Sequence, residues 1–227
     1  MKRLLLFDID GTLVRGGPAK KAFESAMKMV FGTAGPIDRY DFSGKTDPQI
    51  ARELLQAEGL EDEEIEAGFG SLWGEYLGQL EPRLAEMPMT VLPGVRPLLE
   101  YLKGIEDVAV GLLTGNIVDG ARLKLSSVGL MEYFRVGGYG SDSEVREDLP
   151  AVARRLAARI WGTDFPAPSV VVVGDTPRDV ACGKHDGNRT VAVATGRFDT
   201  EKLASFGPDR VLEHLGDLGE SVKALLE

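Results

Sequence analysis

The stretch Leu4-Leu5-Leu6-Phe7-Asp8-Ile9-Asp10-Gly11-Thr12 sets the frame for the whole chain. An apolar run without polar alternation leads straight into two carboxylates, the pattern of a strand covered on both faces of a parallel sheet. Asp8 and Asp10 stand two apart, so on a regular strand both point to the same face. Gly11 then permits a sharp turn. Two like charges this close repel unless a cation lies between them or one of them is protonated. A bare Asp-x-Asp also suits a strand end closed by acidic turn residues. Placed between a strand and Gly-Thr, the pair reads as a candidate site.

Four further apolar runs follow: Val108–Leu113, Ser169–Val173, Thr190–Ala194 and the weaker Arg210–Leu212. Helical patterns lie between most of them. Val95–Lys103 carries Leu98, Leu99 and Leu102. Val118–Val128 carries Ala121, Leu125 and Val128, with Gly129 as a stop. Leu149–Ile160 carries Val152, Leu156 and Ile160. Strand and helix in alternation predict an open, doubly wound α/β core with a parallel sheet.

Residues 18–87 break that rhythm with three helical patterns and no convincing strand. The first carries Ala22, Phe23, Ala26, Met29 and Val30. The second starts at Thr46-Asp47-Pro48, a cap followed by a proline suited to a first turn. The third has Ile65, Phe69, Leu72, Trp73, Tyr76, Leu77 and Leu80 at helical spacing. Gly16-Gly17-Pro18 precedes this block and Met87-Pro88 through Pro93-Gly94 follows it, which marks linkers. The expected organisation is a core of residues 1–16 and 91–227, interrupted by a small helical domain at 17–90.

Composition narrows the function. Among 227 residues, 26 basic against 36 acidic side chains give a net charge of −10. That balance speaks against coating nucleic acid or a polybasic attachment to a membrane. One cysteine excludes an internal disulfide and a cysteine-based zinc site, and two histidines exclude a His-rich metal site. No apolar stretch nears the roughly 18 residues that span a bilayer. The first apolar run is too short for a signal-peptide core. The expectation is a cytoplasmic protein in a reducing compartment.

Three more features fall at strand ends, where open α/β sheets bind ligands. Leu112-Leu113-Thr114-Gly115-Asn116 offers a hydroxyl and backbone N–H groups that make an anion cradle, though Thr-Gly-Asn is also ordinary turn chemistry. Val173-Gly174-Asp175-Thr176-Pro177-Arg178-Asp179 ends another buried strand in acids four residues apart. With Asp8 and Asp10 this makes four carboxylates at neighbouring strand ends, a hard oxygen set that suits Mg2+. A phosphate bound there needs a further cation. No lysine occurs between 125 and 183, and Arg146, after the weak Phe134–Val136 run, is the candidate. A solvated arginine paired with Glu144, Glu147 and Asp148 is the competing reading.

Asp-Ile-Asp-Gly-Thr, then Leu-Leu-Thr-Gly-Asn, then a cation, then Gly-Asp-Thr-Pro-Arg-Asp resemble, in that order, the motifs of the haloacid-dehalogenase-like hydrolases. The resemblance is to their phosphoglycolate-phosphatase-like branch and covers nearly the whole chain. It implies a Rossmann-like core with the helical block as a cap. It implies that Asp8 attacks phosphorus and forms an aspartyl-phosphate, and that Asp10 serves as acid and then base. It further implies Mg2+ held by Asp8, the Asp10 backbone carbonyl, Asp175 and a supporting Asp179. Thr114 and Arg146 would hold the phosphoryl oxygens, helped by backbone groups around Gly11, Thr12, Gly115 and Asn116. One departure is plain: the family usually has lysine where Arg146 stands. In the polar loop Asp41–Asp47, Lys45 and Thr46 are candidates for contact with the substrate, although a helix-start loop with a solvated lysine fits the same residues. Arg15 could face the entrance, and Cys182 reads as packing.

The implied activity is hydrolysis of a small phosphate monoester, phosphoglycolate-like or a sugar phosphate. A sugar phosphomutase uses the same core motifs. A dehalogenase has no need of Asp10, and a phosphonate hydrolase would use a cap lysine such as Lys45. A response-regulator-like module would lack the insertion, and a non-catalytic protein would not need both Asp8 and Asp10. The partner expected is a small phosphorylated metabolite, with no nucleic acid and no membrane. Oligomeric state leaves no mark in the sequence.

Overall fold

A computed structural model describes residues 2–227. The elements run β1 (Arg3–Phe7), β2 (Val14–Gly16), α1 (Ala19–Phe31), α2 (Asp47–Gln56), α3 (Asp62–Glu86), β3 (Met89–Val91), α4 (Val95–Lys103), β4 (Val108–Thr114) and α5 (Val118–Ser127). They continue as β5 (Gly137–Tyr139), α6 (Leu149–Trp161), β6 (Val170–Gly174), α7 (Pro177–His185), β7 (Arg189–Val193), α8 (Thr200–Ala204), β8 (Arg210–Leu212) and α9 (Leu218–Leu226).

Six strands form one sheet in the order β5-β4-β1-β6-β7-β8, all parallel. All five apolar runs expected as strands are members. β1 sits centrally, and Leu4, Leu5, Leu6 and Phe7 have no exposed surface. Burial of such side chains stabilises the fold by roughly 1.5–3 kcal/mol each. Alternate residues serve opposite faces. Leu5 and Phe7 join Leu98, Leu112, Leu125 and Val171 on one side. Leu4 and Leu6 join Leu113, Ala153, Val170 and Val172 on the other.

Three short strands are not legible in the sequence. β5 lies just beyond the weak Phe134–Val136 run and contains Gly137 and Gly138, which do not read as strand. β2 and β3 form an antiparallel ribbon, with Val14 opposite Val91 and Gly16 opposite Met89. Three residues are too few to show a period. The ribbon joins the chain where it leaves the sheet to the point where it returns.

Between these strands α1, α2 and α3 appear where the sequence places helices. Thr46 caps α2, its Oγ1 accepting from Gln49 N at 3.3 Å, and Pro48 sits in the first turn. Phe23 of α1 meets Tyr76 of α3 edge-on, with ring centroids 5.4 Å apart. No helix of the described residues is long and apolar enough to cross a membrane.

Candidate active site

Because β4, β1 and β6 are parallel neighbours, their carboxyl ends open side by side. β1 delivers Asp8 and Asp10, β4 delivers Thr114 and Asn116, and β6 delivers Asp175. A single turn of 3-10 helix at Arg146–Asp148, leading into α6, adds Arg146. These side chains line one cavity of about 290 Å³, together with Phe23, Lys45 and Tyr76.

Asp8, Asp175 and Asp179 are all buried, and each offers a carboxylate oxygen within 4.8 Å of the others. Among the described residues, one cation touches this cluster. Arg146 Nη2 lies 3.2 Å from Asp8 Oδ1 and 2.5 Å from Asp179 Oδ1, with the arginine only 4% exposed. The competing reading of a solvated arginine is therefore excluded. Fully ionised, three carboxylates against one guanidinium would leave two negative charges uncompensated. Burial, then the charge of Asp179, pushes Asp8 up to about 7 despite Arg146. Burial and the charges of Asp179 and Asp8 push Asp175 up to about 8. Burial works against the charge on Arg146, but Asp179 and Asp8 outweigh it and hold the guanidinium firmly protonated. A buried all-oxygen site with this charge excess fits a divalent cation such as Mg2+. Arg146 Nε is buried with no hydrogen-bond partner among the described residues, a donor left without an acceptor.

Local structure fixes the cluster. Thr176 and Asp179 form a capping box at the start of α7, with Asp179 Oδ2 accepting from Thr176 N at 2.9 Å and Thr176 Oγ1 at 2.7 Å. Thr12 Oγ1 donates to Asp175 Oδ1 at 3.1 Å. Gly11 turns at φ +92°, and a Cβ there would overlap the Asp175 carboxylate. Two independent reasons thus require glycine at that turn.

The other half of the site is built around Asp10, whose carboxylate stands outside the cluster. Asp10 Oδ2 accepts from Asn116 Nδ2 at 2.8 Å and from Lys124 Nζ at 2.7 Å. Asn116 Nδ2 also donates to Thr114 Oγ1 at 2.8 Å, and Asn116 N does so at 3.3 Å. The Thr114 hydroxyl only accepts in these contacts, so its own proton is free for a ligand in the cavity. Asp47 is half-buried beside this group. Its Oδ2 accepts from Ile117 N at 2.8 Å, and burial pushes it up to about 6 against the pull of Lys124.

Not every expected residue faces the cavity. Lys45 does, but its ammonium is tied to Tyr40 Oη at 2.8 Å and to Glu53. Thr46 is fully buried outside the lining. Its hydroxyl donates to the Glu144 carbonyl at 2.8 Å and so fastens the start of α2 to the loop before Arg146. Gly11 and Thr12 stand behind Asp175 and serve its position. Gly115 lines the cavity floor, where a Cβ would overlap the Lys45 carbonyl, and its own carbonyl accepts from Asp47 N at 2.7 Å. Arg15 is exposed on β2, away from the lining. Cys182 is buried, and burial pushes its thiol up to about 12, as suits packing.

Lys124 is the residue the sequence reading missed, one position before the stretch searched for a cation. The signal was present. It lies on the inward face of α5 with buried Gly120, Ala121 and Leu125, where a solvated lysine has no place.

The sequence profile of the haloacid dehalogenase-like hydrolases matches residues 2–185. Phosphoglycolate phosphatase of Synechococcus elongatus is 30% identical over 98% of this chain and 98% of its own. Phosphoglycolate phosphatase of Yersinia pseudotuberculosis is 26% identical over 95% of this chain and 91% of its own. The crystal structure of a hydrolase from Pseudomonas syringae superposes with a TM-score of 0.74 at 22% identity, covering both chains fully. With the strand-end carboxylates in place and the match spanning the sheet and its insertion, the chain belongs to the haloacid dehalogenase-like hydrolases, in their phosphoglycolate-phosphatase-like branch, and is a phosphatase.

Proposed function

We propose that this phosphatase hydrolyses a small phosphate monoester through an aspartyl-phosphate on Asp8, with Mg2+ as cofactor. The observation that carries the reading is the buried cluster of Asp8, Asp175 and Asp179 paired with Arg146, opening into a cavity of about 290 Å³. Asp8 attacks phosphorus while the bond from phosphorus to the ester oxygen breaks. The departing oxygen takes a proton from Asp10. Water then attacks the same phosphorus, gives its proton to Asp10, and Asp8 is released with inorganic phosphate.

The free proton of Thr114 and the unpartnered Nε of Arg146 supply two donors for the phosphoryl oxygens. Residues around Gly115 and Asn116 complete the cradle. Asp8, the Asp10 backbone carbonyl and Asp175 would hold Mg2+, with Asp179 supporting. When bound, the ion neutralises the excess charge of the cluster and of the phosphoryl group. Residues 17–90 act as the cap that excludes bulk water, with Lys45 on its wall. A phosphoglycolate-like small acid or a sugar phosphate suits a cavity of this size.

The test is phosphate release from a panel of monoesters, with and without Mg2+, by the native chain and by Asp8→Asn. Mg2+-dependent release that vanishes in the variant is expected. Release by Asp8→Asn at the native rate, or none by the native chain from any ester, contradicts the reading.

A further inference from the structure

Lys124 is 4% exposed, yet it carries an ammonium into the wall of the active-site cavity. A buried cation persists only where partners replace its water. Lys124 has two such partners, Asp10 Oδ2 at 2.7 Å and Asn116 Oδ1 at 2.6 Å. Asn116 Nδ2 reaches the same Asp10 oxygen at 2.8 Å. Lys124, Asn116 and Asp10 therefore close a three-membered ring of hydrogen bonds.

The ring is asymmetric about the carboxylate. Both donors fall on Oδ2, and no donor among the described residues reaches Oδ1. The side chain of Asp10 is nevertheless 44% exposed toward the cavity it lines. Its rotation is fixed by one oxygen, and the other is left open. Lys124 stands on α5 and Asn116 on the turn that opens it, so two points of one rigid segment hold the group. Arg146, by contrast, touches Asp8 and Asp179 and has no contact with Asp10. Arg146 thus pairs with Asp8 and Asp179, and Lys124 with Asp10.

We infer that Lys124 is a positioning residue for Asp10: with Asn116 it clamps Oδ2 so that Oδ1 meets the leaving-group oxygen and then the attacking water. This inference rests on the proposed phosphatase chemistry. It distinguishes Lys124 from a substrate-binding cation, which would need its charge free, and from a packing residue, which would need no carboxylate.

The consequence is selective. An alkyl leaving group needs a proton from Asp10, and an aryl group such as p-nitrophenolate needs it far less. In Lys124→Met, kcat on an alkyl phosphate should fall about 10- to 100-fold, the range seen when a group that orients a reacting residue is removed. On p-nitrophenyl phosphate the fall should be much smaller, with KM little changed on both. In an Asp10→Asn background the same substitution should cost nothing further, because residues acting as a unit are not additive. Equal losses on the two esters, a rise in KM at constant kcat, or full additivity with Asp10→Asn overturns the inference. If Lys124→Met does not fold, Lys124→Gln, which removes the charge but keeps a polar head, must show the same dependence on leaving group; a uniform loss there overturns the clamp. Absence of phosphate release by the native chain would instead overturn the phosphatase chemistry, and this inference with it.

Discussion

Among the described residues, Arg146→Met removes the only cation that touches the cluster of three buried carboxylates, pairing with Asp8 and Asp179, and the distances set the size of the effect. At 3.2 Å from Asp8 and an effective dielectric near 20, the attraction is about 5 kcal/mol before desolvation. Removing one partner of a buried pair costs about 3–5 kcal/mol, because the remaining charge has neither water nor counter-ion. Taking about 4 kcal/mol, and about 2–4 °C per kcal/mol for a chain of this length, the melting temperature should fall by roughly 8–16 °C. The assay is thermal unfolding of metal-free protein near pH 7.5. Repeated near pH 5.5, the fall should shrink. There Asp8 and Asp175, pushed up to about 7 and about 8, hold protons, and less attraction to the guanidinium is lost with it. A change below about 2 °C near pH 7.5, or the same fall at both pH values, refutes the electrostatic reasoning. Arg146→Lys keeps the charge but loses the planar fork, so it should recover part of the stability.

Metal and proton should compete at the same carboxylates. Asp8 and Asp175 sit above the ordinary value of 3.8, so the metal-free fold binds protons that the unfolded chain has released. The stability these two groups contribute is full below about pH 4 and is lost as pH rises toward 8, so the rise in melting temperature on adding Mg2+ should be larger near pH 8.5 than near pH 5.5. Gly115→Ala should lower both kcat/KM and the melting temperature, because the added Cβ would overlap the Lys45 carbonyl and must displace backbone at the start of α2. Thr176→Ala breaks the capping box of α7 and should cost about 1 kcal/mol, read as a fall of about 2–4 °C.

Residues whose role is local were legible. The run into Asp8 declares its strand because burial on both faces leaves no polar alternation. Thr46 and Pro48 declare the start of α2 because capping is a matter of adjacent residues. Residues whose role depends on distant partners were harder. Arg146 could be proposed from charge need, but its burial against Asp8 and Asp179 arises from elements 138 and 33 residues away. Thr46 was expected at the substrate, yet its hydroxyl is spent on Glu144, 98 residues off. Lys124 was passed over because a lysine on a helix reads as solvated until its face is tracked. β2 and β3 were invisible because each is only three residues long and is held by the other.

Chemical identification of a phosphorylated Asp8 tests the mechanism most directly. Asp10→Asn, which leaves the nucleophile intact and impairs the return step, is mixed with a good-leaving-group ester and Mg2+ and quenched in acid. Peptide mass spectrometry should find one added phosphoryl group on the peptide bearing Asp8, and none when Asp8→Asn is combined with it. A phosphoryl group on another residue, or rapid turnover with no acid-stable adduct at any time, would contradict Asp8 as the nucleophile.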